Sequence, residues 1–178
     1  MPKQSNKTIN YSVYYRDPNK NGGKPQYVND TSNLQLPSIE ALTDTLKGAG
    51  ILGEVDMPTP GQVGSMTFTM SIRTSNEDMG YLMRPGVIDL EVRWAVDRFD
   101  PSLEKNEQVA NKAFLKCLCK KADEGKIEAN AAADGSFEYE VIAYQRIMNG
   151  KEILHIHKFN GDYTVNGVDY AKDIKAAL

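Results

Sequence analysis

The sequence predicts a mainly β protein, a barrel or sandwich with a short central helix and a short C-terminal helix. Two segments support this prediction by alternating apolar and polar residues, namely 65–73 and 87–97. A third observation is Asn149-Gly150, which lies between two strand-like runs and strongly favours a tight hairpin. Six to eight short strands separated by turn residues are typical of such folds.

The first 37 residues suit two strands around a turn. Residues 9–16 are rich in aromatic and β-branched side chains, which favour a strand. Residues 17–25 contain Asp-Pro, Asn and Gly-Gly, a composition typical of a turn or hairpin tip. We therefore expect a returning strand that ends at Pro37.

The next segment, about 47–62, is rich in glycine and proline and shows neither a helical nor a strand period. We predict a long surface loop here, and loops of this length without their own structure are usually functional or disordered. Ile51, Leu52, Val55 and Met57 argue against disorder, because a loop with several apolar side chains tends to pack against something.

Two strands with a short helix between them follow. In residues 65–73 the apolar side chains share one face and the polar ones the other, and residues 87–99 repeat this pattern. Ser75 and Asp78 resemble a capping box, which predicts a short helix over about 76–83.

The second half of the chain is predicted to contain more strands. A polar connection over 100–108 leads to residues 109–121, which fit a helix and a strand equally well. Residues 136–148 suit a strand, and the Asn-Gly turn leads from it into a second strand within 151–161. Residues 171–178 are predicted to form the final helix.

Composition limits the possible functions. The chain has 178 residues, which suits one domain over 1–178, and its net charge of −3 without a basic run disfavours a protein that grips nucleic acid by its phosphates. There is no apolar stretch of signal-peptide or membrane-span length. We therefore expect a cytoplasmic protein without a membrane anchor, in which Cys117 and Cys119 stay reduced.

The two histidines are the strongest candidates for a metal site. His155 and His157 would point to the same face of a strand, but a catalytic zinc site usually takes three protein ligands and no third histidine exists. We therefore predict no metal, cofactor or catalytic residue. A small metal-binding β-barrel enzyme that uses His155 and His157 stays as the alternative, as does a monomeric ligand-binding β-barrel.

Two long segments are similar to the major tail tube protein of contractile-tailed bacteriophages and to the related tube protein of R-type bacteriocins. They are LPSIEALTDTLKGAGILGEVDMPTPGQVGSMTFTMSIR, residues 36–73, and EYEVIAYQRIMNGKEILHIHKFNGDYTVNGVDYAKDIKAAL, residues 138–178. That family commonly has an apolar or acidic residue where this chain has His155 and His157. The departure favours a structural strand over a metal centre.

The resemblance implies a structural protein and not an enzyme. Its subunits would form hexameric rings that stack into a tube, with strands of neighbouring subunits joined in one large β-barrel around a lumen. Its partners would be further copies of itself, the tail sheath, baseplate, tail-terminator and tape measure proteins, and DNA passing through without specific binding. The product would be a virion tail or a bacteriocin particle assembled in the bacterial host cytoplasm.

Two sets of residues are predicted to serve this assembly. The loop residues expected to contact a neighbouring subunit or ring are Gly48, Gly50, Ile51, Leu52, Gly53, Glu54, Val55 and Met57. The polar strand residues expected to face the lumen are Thr67, Thr69 and Ser71 together with Asp89, Glu91 and Arg93. We expect a neutral to negative lumen, because basic groups that neutralise phosphates would hold DNA back.

Overall fold

The computed structural model describes residues 2–178, which form twelve β-strands and two short α-helices. The strands are β1 (Gln4–Arg16), β2 (Pro25–Tyr27), β3 (Thr31–Gln35), β4 (Ala41–Lys47), β5 (Glu54–Val63), β6 (Thr67–Ile72), β7 (Val87–Asp100), β8 (Lys105–Asp123), β9 (Gly135–Met148), β10 (Lys151–His157), β11 (Asp162–Val165) and β12 (Val168–Asp169). The helices are α1 (Met79–Leu82) and α2 (Lys172–Ala177). The predicted fold class, mainly β with a short central and a short C-terminal helix, is confirmed.

Ten of the strands belong to one antiparallel sheet. Its main path runs β12-β11-β10-β9-β8-β7-β1-β2. One edge of β9 pairs with β6 along its first half and with β10 along its second half. Strand β6 in turn pairs with β3. The Asn149-Gly150 turn joins β9 to β10 with φ of 49° and 76°, as a two-residue hairpin turn requires.

The sheet curls into a wall of six strands in the order β3-β6-β9-β8-β7-β1. Both of its end strands, β3 and β1, line the same groove, so the two ends of the wall come close together. Buried side chains from β1, β6, β7, β8 and β9 form one hydrophobic cluster inside. The wall does not close, so the subunit is sandwich-like and not a complete barrel.

The alternation in residues 65–73 is confirmed by the core. Met66, Phe68, Met70 and Ile72 are at most 1% exposed, whereas the polar residues between them are only half-buried. Helix α1 closes one end of the core, where the Tyr139 hydroxyl donates a hydrogen bond of 3.0 Å to its Leu82 carbonyl. The helix was expected over 76–83, and it is shorter.

The prediction of a long loop at 47–62 is wrong. Residues 41–63 form an antiparallel hairpin of β4 and β5, which pair from Lys47 opposite Glu54 to Ala41 opposite Val63. Only residues 48–53 form the turn. Sequence patterns do not reveal the hairpin because prolines interrupt β5, and because no other strand within residues 2–178 pairs with it.

Other boundaries also differ from expectation. The polar connection at 100–108 shrinks to a turn over 101–104, and the ambiguous segment 109–121 lies within the 19-residue strand β8. The returning strand expected before Pro37 is divided into β2 and β3, which pair with different partners. Within residues 2–178, no helix is long and apolar enough to cross a membrane.

Candidate functional site

The hairpin of residues 41–63, called the arm below, is exposed over most of its length. All seven residues of β4 and the first seven of β5 are exposed. Its base continues the β3–β6 pair, since the Gly64 amide donates a hydrogen bond of 2.9 Å to the Glu40 carbonyl. The arm therefore projects from the wall as a two-stranded ribbon.

The arm has one apolar and one polar face. Leu46 lies opposite Val55, Met57 lies opposite Asp44, and Leu42 shares their side of the ribbon. The four apolar side chains on this face are 46–50% exposed. The opposite face carries the Thr45–Asp56 hydrogen bond of 2.7 Å and the Lys47–Glu54 ion pair of 3.6 Å. An isolated two-stranded ribbon is marginally stable, so this uncovered apolar face indicates a contact surface.

The predicted contact residues occupy three places on the arm. Val55 and Met57 lie on its apolar face, and Glu54 lies on its polar face. Ile51 and Leu52 lie at the tip, where Leu52 is fully exposed. The tip also holds Gly48, Gly50 and Gly53, all with positive φ. Sequence reasoning missed Leu42 and Leu46, whose alternation with threonines was the available signal.

The broad part of the sheet has an outward side, called the polar face below. It comprises the outward side chains of β1, β7, β8, the second half of β9, β10 and β11. Register relates them row by row, for example Arg16, Asp89, Lys116, Ala143 and His157 across five strands. Its charged members include the basic residues Arg16, Arg93, Lys112, Lys116 and Lys121 and the acidic residues Asp89, Glu91, Asp97, Asp123, Glu152 and Asp162. Basic and acidic residues are present in similar numbers, so the face is close to neutral.

Glu91 is buried within the polar face, although the sequence suggested an exposed position. Its side chain is 2% exposed and accepts hydrogen bonds from Arg16 at 3.0 Å and from Arg93 at 2.5 Å. Burial raises the pKa of the Glu91 carboxyl, but the two guanidinium groups outweigh burial and lower the pKa below its ordinary value. Arg93 in turn covers the Tyr14 ring at 4.5 Å. Glu91 therefore anchors two arginines and is not itself a surface group.

The two predicted lumen sets lie on two strands that are not neighbours in the curled sheet. Thr67, Thr69 and Ser71 pair with Glu140, Glu138 and Ser136 on β9, and all point away from the core. Strands β6 and β7 are three places apart in the wall, with β9 and β8 between them.

The histidines lie on the polar face in strand β10. His155 is opposite Thr164 and His157 is opposite Asp162. The His157 Nδ1 accepts a hydrogen bond of 3.2 Å from the Asn160 amide, so in the neutral ring Nε2 carries the proton and offers no lone pair to a metal. Within residues 2–178, no group of three or more His, Cys, Asp or Glu side chains could hold a metal ion.

The cysteines add no chemistry to this surface. Cys117 is buried, and burial raises the pKa of its thiol well above the ordinary value. Burial also raises the pKa of the Cys119 thiol, although a backbone hydrogen bond at Lys121 lowers it in part. Both are free, and a protonated thiol is a poor nucleophile and metal ligand.

Comparison with known proteins agrees with this architecture. A sequence profile of the family described as Phage tail tube protein FII matches residues 20–178. No curated protein matches the sequence. This chain is similar to a chain in a cryo-EM structure of an extracellular contractile injection system, the PVC sheath/tube terminator in the extended state. The TM-score is 0.50 and the sequence identity is 12%. The alignment covers 79% of this chain and 93% of that one, and at this identity it shows a shared fold.

Two further solved structures are similar. One is the PVC sheath-tube complex in the extended state, with a TM-score of 0.49 and 11% identity over 78% of this chain and 86% of that one. The other is the baseplate of the anti-feeding prophage, with a TM-score of 0.46 and 14% identity over 81% of this chain and 97% of that one.

Proposed function

Because this chain belongs to the phage tail tube protein FII family, we propose that it forms the inner tube of a contractile tail or tail-like particle by stacking hexameric rings. The observation that carries the proposal is the arm. Its apolar face is uncovered in the single subunit, as expected for a surface that a neighbouring subunit covers on assembly. The role is structural and requires neither a catalytic residue nor a cofactor.

Free strand edges support the joining of neighbouring subunits. Strand β1 has 13 residues. Within the described chain, its first nine residues pair with β7 on one edge and leave the other edge without a partner strand. A long unpaired edge invites aggregation. A ring of head-to-tail contacts leaves no such edge and joins the sheets into one wide barrel, whose lumen grows with strand number.

We assign the channel wall to the polar face. It extends over six strands, and its opposite charges pair with each other, as in the 2.9 Å ion pair between Lys116 and Asp89. Paired lysines and arginines are less free to neutralise DNA phosphates, so DNA passes without being held. Of the residues predicted for the lumen, this assignment keeps Asp89 and Arg93 at the channel surface, with Glu91 buried beneath the arginines, and places Thr67, Thr69 and Ser71 outside.

The proposal extends to the other components of the tail. The outer surface would contact the sheath, and the ends of the tube would meet the baseplate and the tail terminator, while the lumen would hold the tape measure protein and then DNA. The similarity to a chain from a sheath/tube terminator structure is consistent with such neighbours. Assembly in the bacterial host cytoplasm completes the proposal, for a phage and for a bacteriocin alike.

Electron microscopy tests the proposal. Purified protein at high concentration, examined by negative stain and by sedimentation velocity, is expected to form hexameric rings and hollow tubes. Solid fibres would contradict it, and so would a chain that stays monomeric inside an intact tail particle. A protein that remains monomeric at every concentration would favour the monomeric ligand-binding alternative.

A further inference from the structure

The unclosed part of the sheet is a groove between the two end strands of the wall. Its apolar lining comes from Tyr11 on β1, Leu34 on β3, Leu36 just after it, and Val92 and Trp94 on β7. The groove holds about 460 Å³. Tyr11, Leu34, Leu36 and Trp94 pack against the core and are only partly buried, so the hydrophobic core reaches the surface here.

Hydrogen-bonding groups border the groove on both sides. Strand β3 pairs with β6 only, and β1 over residues 4–12 pairs with β7 only, within the described chain. Each strand therefore turns an edge without backbone partners toward the opening. A site with an apolar floor and free strand edges is suited to receive an extended segment, which β-augmentation would hold in place.

The arm has the properties of such an occupant. It is extended, its apolar face is uncovered, and both of its outer edges are free over most of their length. It does not fill the groove of its own subunit, because all its apolar-face side chains are nearly half exposed. The arm and the free stretch of β1 also carry opposite charges. The arm has three acidic residues, Asp44, Glu54 and Asp56, and one basic residue, Lys47, whereas the free stretch of β1 has the exposed Lys7.

We infer that the arm of one copy docks its apolar face over the groove between β1 and β3 of a second copy. The inference rests on the proposed function and names the surface that receives the arm. Leu46 and Val55 come to lie on Leu34, Leu36 and Trp94 of the second copy. The open wall of each subunit is thereby covered by its neighbour.

Cross-linking of paired cysteines tests this contact. Protein with Leu46→Cys and protein with Leu34→Cys, each also carrying Cys119→Ser, are mixed, assembled and treated with a short bis-maleimide. In an equal mixture about one contact in four joins the two variants in the productive order, so up to about half of the protein is expected to migrate as a covalent dimer on a denaturing gel. The matched control replaces Leu46→Cys by Lys47→Cys on the polar face of the arm, and we expect it to yield little or no dimer.

Trp94 provides an independent readout, since it is the only tryptophan of the chain. Acrylamide quenching of its fluorescence is expected to fall by about threefold or more on assembly, because docking of the arm removes a half-buried side chain from water. Tubes that form without the cross-link and without protection of Trp94 would overturn the inference and leave the proposed function intact. Unmodified protein that forms neither rings nor tubes would overturn the proposed function, and the inference with it.

Discussion

At Gly125 the backbone approaches another segment so closely that only glycine fits. A Cβ atom there would lie 1.9 Å from the Ala133 carbonyl oxygen, and φ is +81°. We expect Gly125→Ala to lower the free energy of unfolding by about 2–4 kcal/mol, since left-handed strain and the displacement of Ala133 both contribute. Urea denaturation followed by circular dichroism measures the change.

Gly167→Ala is the matched control for this prediction. Its φ of +82° is nearly the same, but no atom lies within 4 Å of the added Cβ. Only the conformational strain remains, so a loss of about 1 kcal/mol is expected. Equal losses in the two variants would mean that the contact with Ala133 does not matter.

Glu91 gives the chain a pH-dependent contribution to stability. Because its pKa is lowered in the folded state, the folded protein releases this proton more readily than the unfolded one does. The contribution is present above the ordinary glutamate pKa and is lost as pH falls through the lowered one. We expect Glu91→Gln to lower the free energy of unfolding at pH 7 by about 1–3 kcal/mol, and the difference from the parent protein to shrink below about pH 4.

The control for Glu91 is Glu138→Gln. Glu138 forms a 2.9 Å ion pair with Lys120, but its side chain is 39% exposed, so solvent screens the pair. A change below about 0.5 kcal/mol at either pH is expected. A pH-independent effect at Glu91 would show that lost packing, and not the charge, is responsible.

Single residues also show where sequence patterns stop being informative. Alternation correctly predicts that Phe68 and Met70 are buried, because period two is a local property of a strand. The same rule correctly places Glu91 on the outward face of the sheet but does not predict that it is buried there. The group that covers it, Arg16, is 75 residues away in sequence, and no local pattern reports such a partner.

Among the elements, the arm separates local from non-local information most clearly. Its sequence predicts an exposed apolar contact segment, which agrees with the exposure of Ile51, Val55 and Met57. It does not predict a hairpin, since prolines interrupt the pairing of β4 with β5, and no third strand of the described chain pairs with either. Strand β8 shows the opposite case, because pairing with both β7 and β9 decides between helix and strand.

The tip of the arm is expected to act in assembly and not in folding of the subunit. Replacing Ile51 and Leu52 by serine should leave a folded, soluble subunit that no longer stacks. Each buried aliphatic side chain is worth about 1.5–3 kcal/mol, so two losses per contact, repeated around a ring, abolish assembly. Thermal melting measures the fold, and electron microscopy measures the tubes.

The control for the tip changes exposed residues on the polar face that are not among the predicted contact residues. Lys47→Ser with Thr45→Ser alters two side chains of β4 near the same end of the arm, both exposed to water. This variant is expected to stack normally. If the Ile51 and Leu52 variant unfolds instead, the tip belongs to the core of its own subunit.

For the whole molecule, the sequence supports the fold class and the family but not the arrangement of surfaces. The residues of β6 and β7 look equivalent in sequence, because both strands alternate between polar and apolar residues. Their positions differ because the sheet curls, and curling depends on the full strand order β3-β6-β9-β8-β7-β1. The same order leaves a groove between β1 and β3, so an isolated subunit has an incomplete wall.

The position of the polar face in the assembled tube is the last prediction. A gold cluster is attached to tubes that carry Cys119→Ser with either Gln145→Cys, on the polar face, or Thr69→Cys, on β6. Both parent side chains are half-buried, so the two sites are matched in accessibility. Gln145 lies on β9, and Thr69 lies on β6, which pairs with β9. In end-on electron images, the label at position 145 is expected inside the wall and the label at position 69 outside it. The reason is that β6 and β7 are three places apart in a sheet that curls, and we expect the broad six-stranded polar face to continue from copy to copy as the channel wall. The reverse pattern would move the channel to Thr67, Thr69 and Ser71, and labels at one radius would contradict the assignment of the channel wall to the polar face alone.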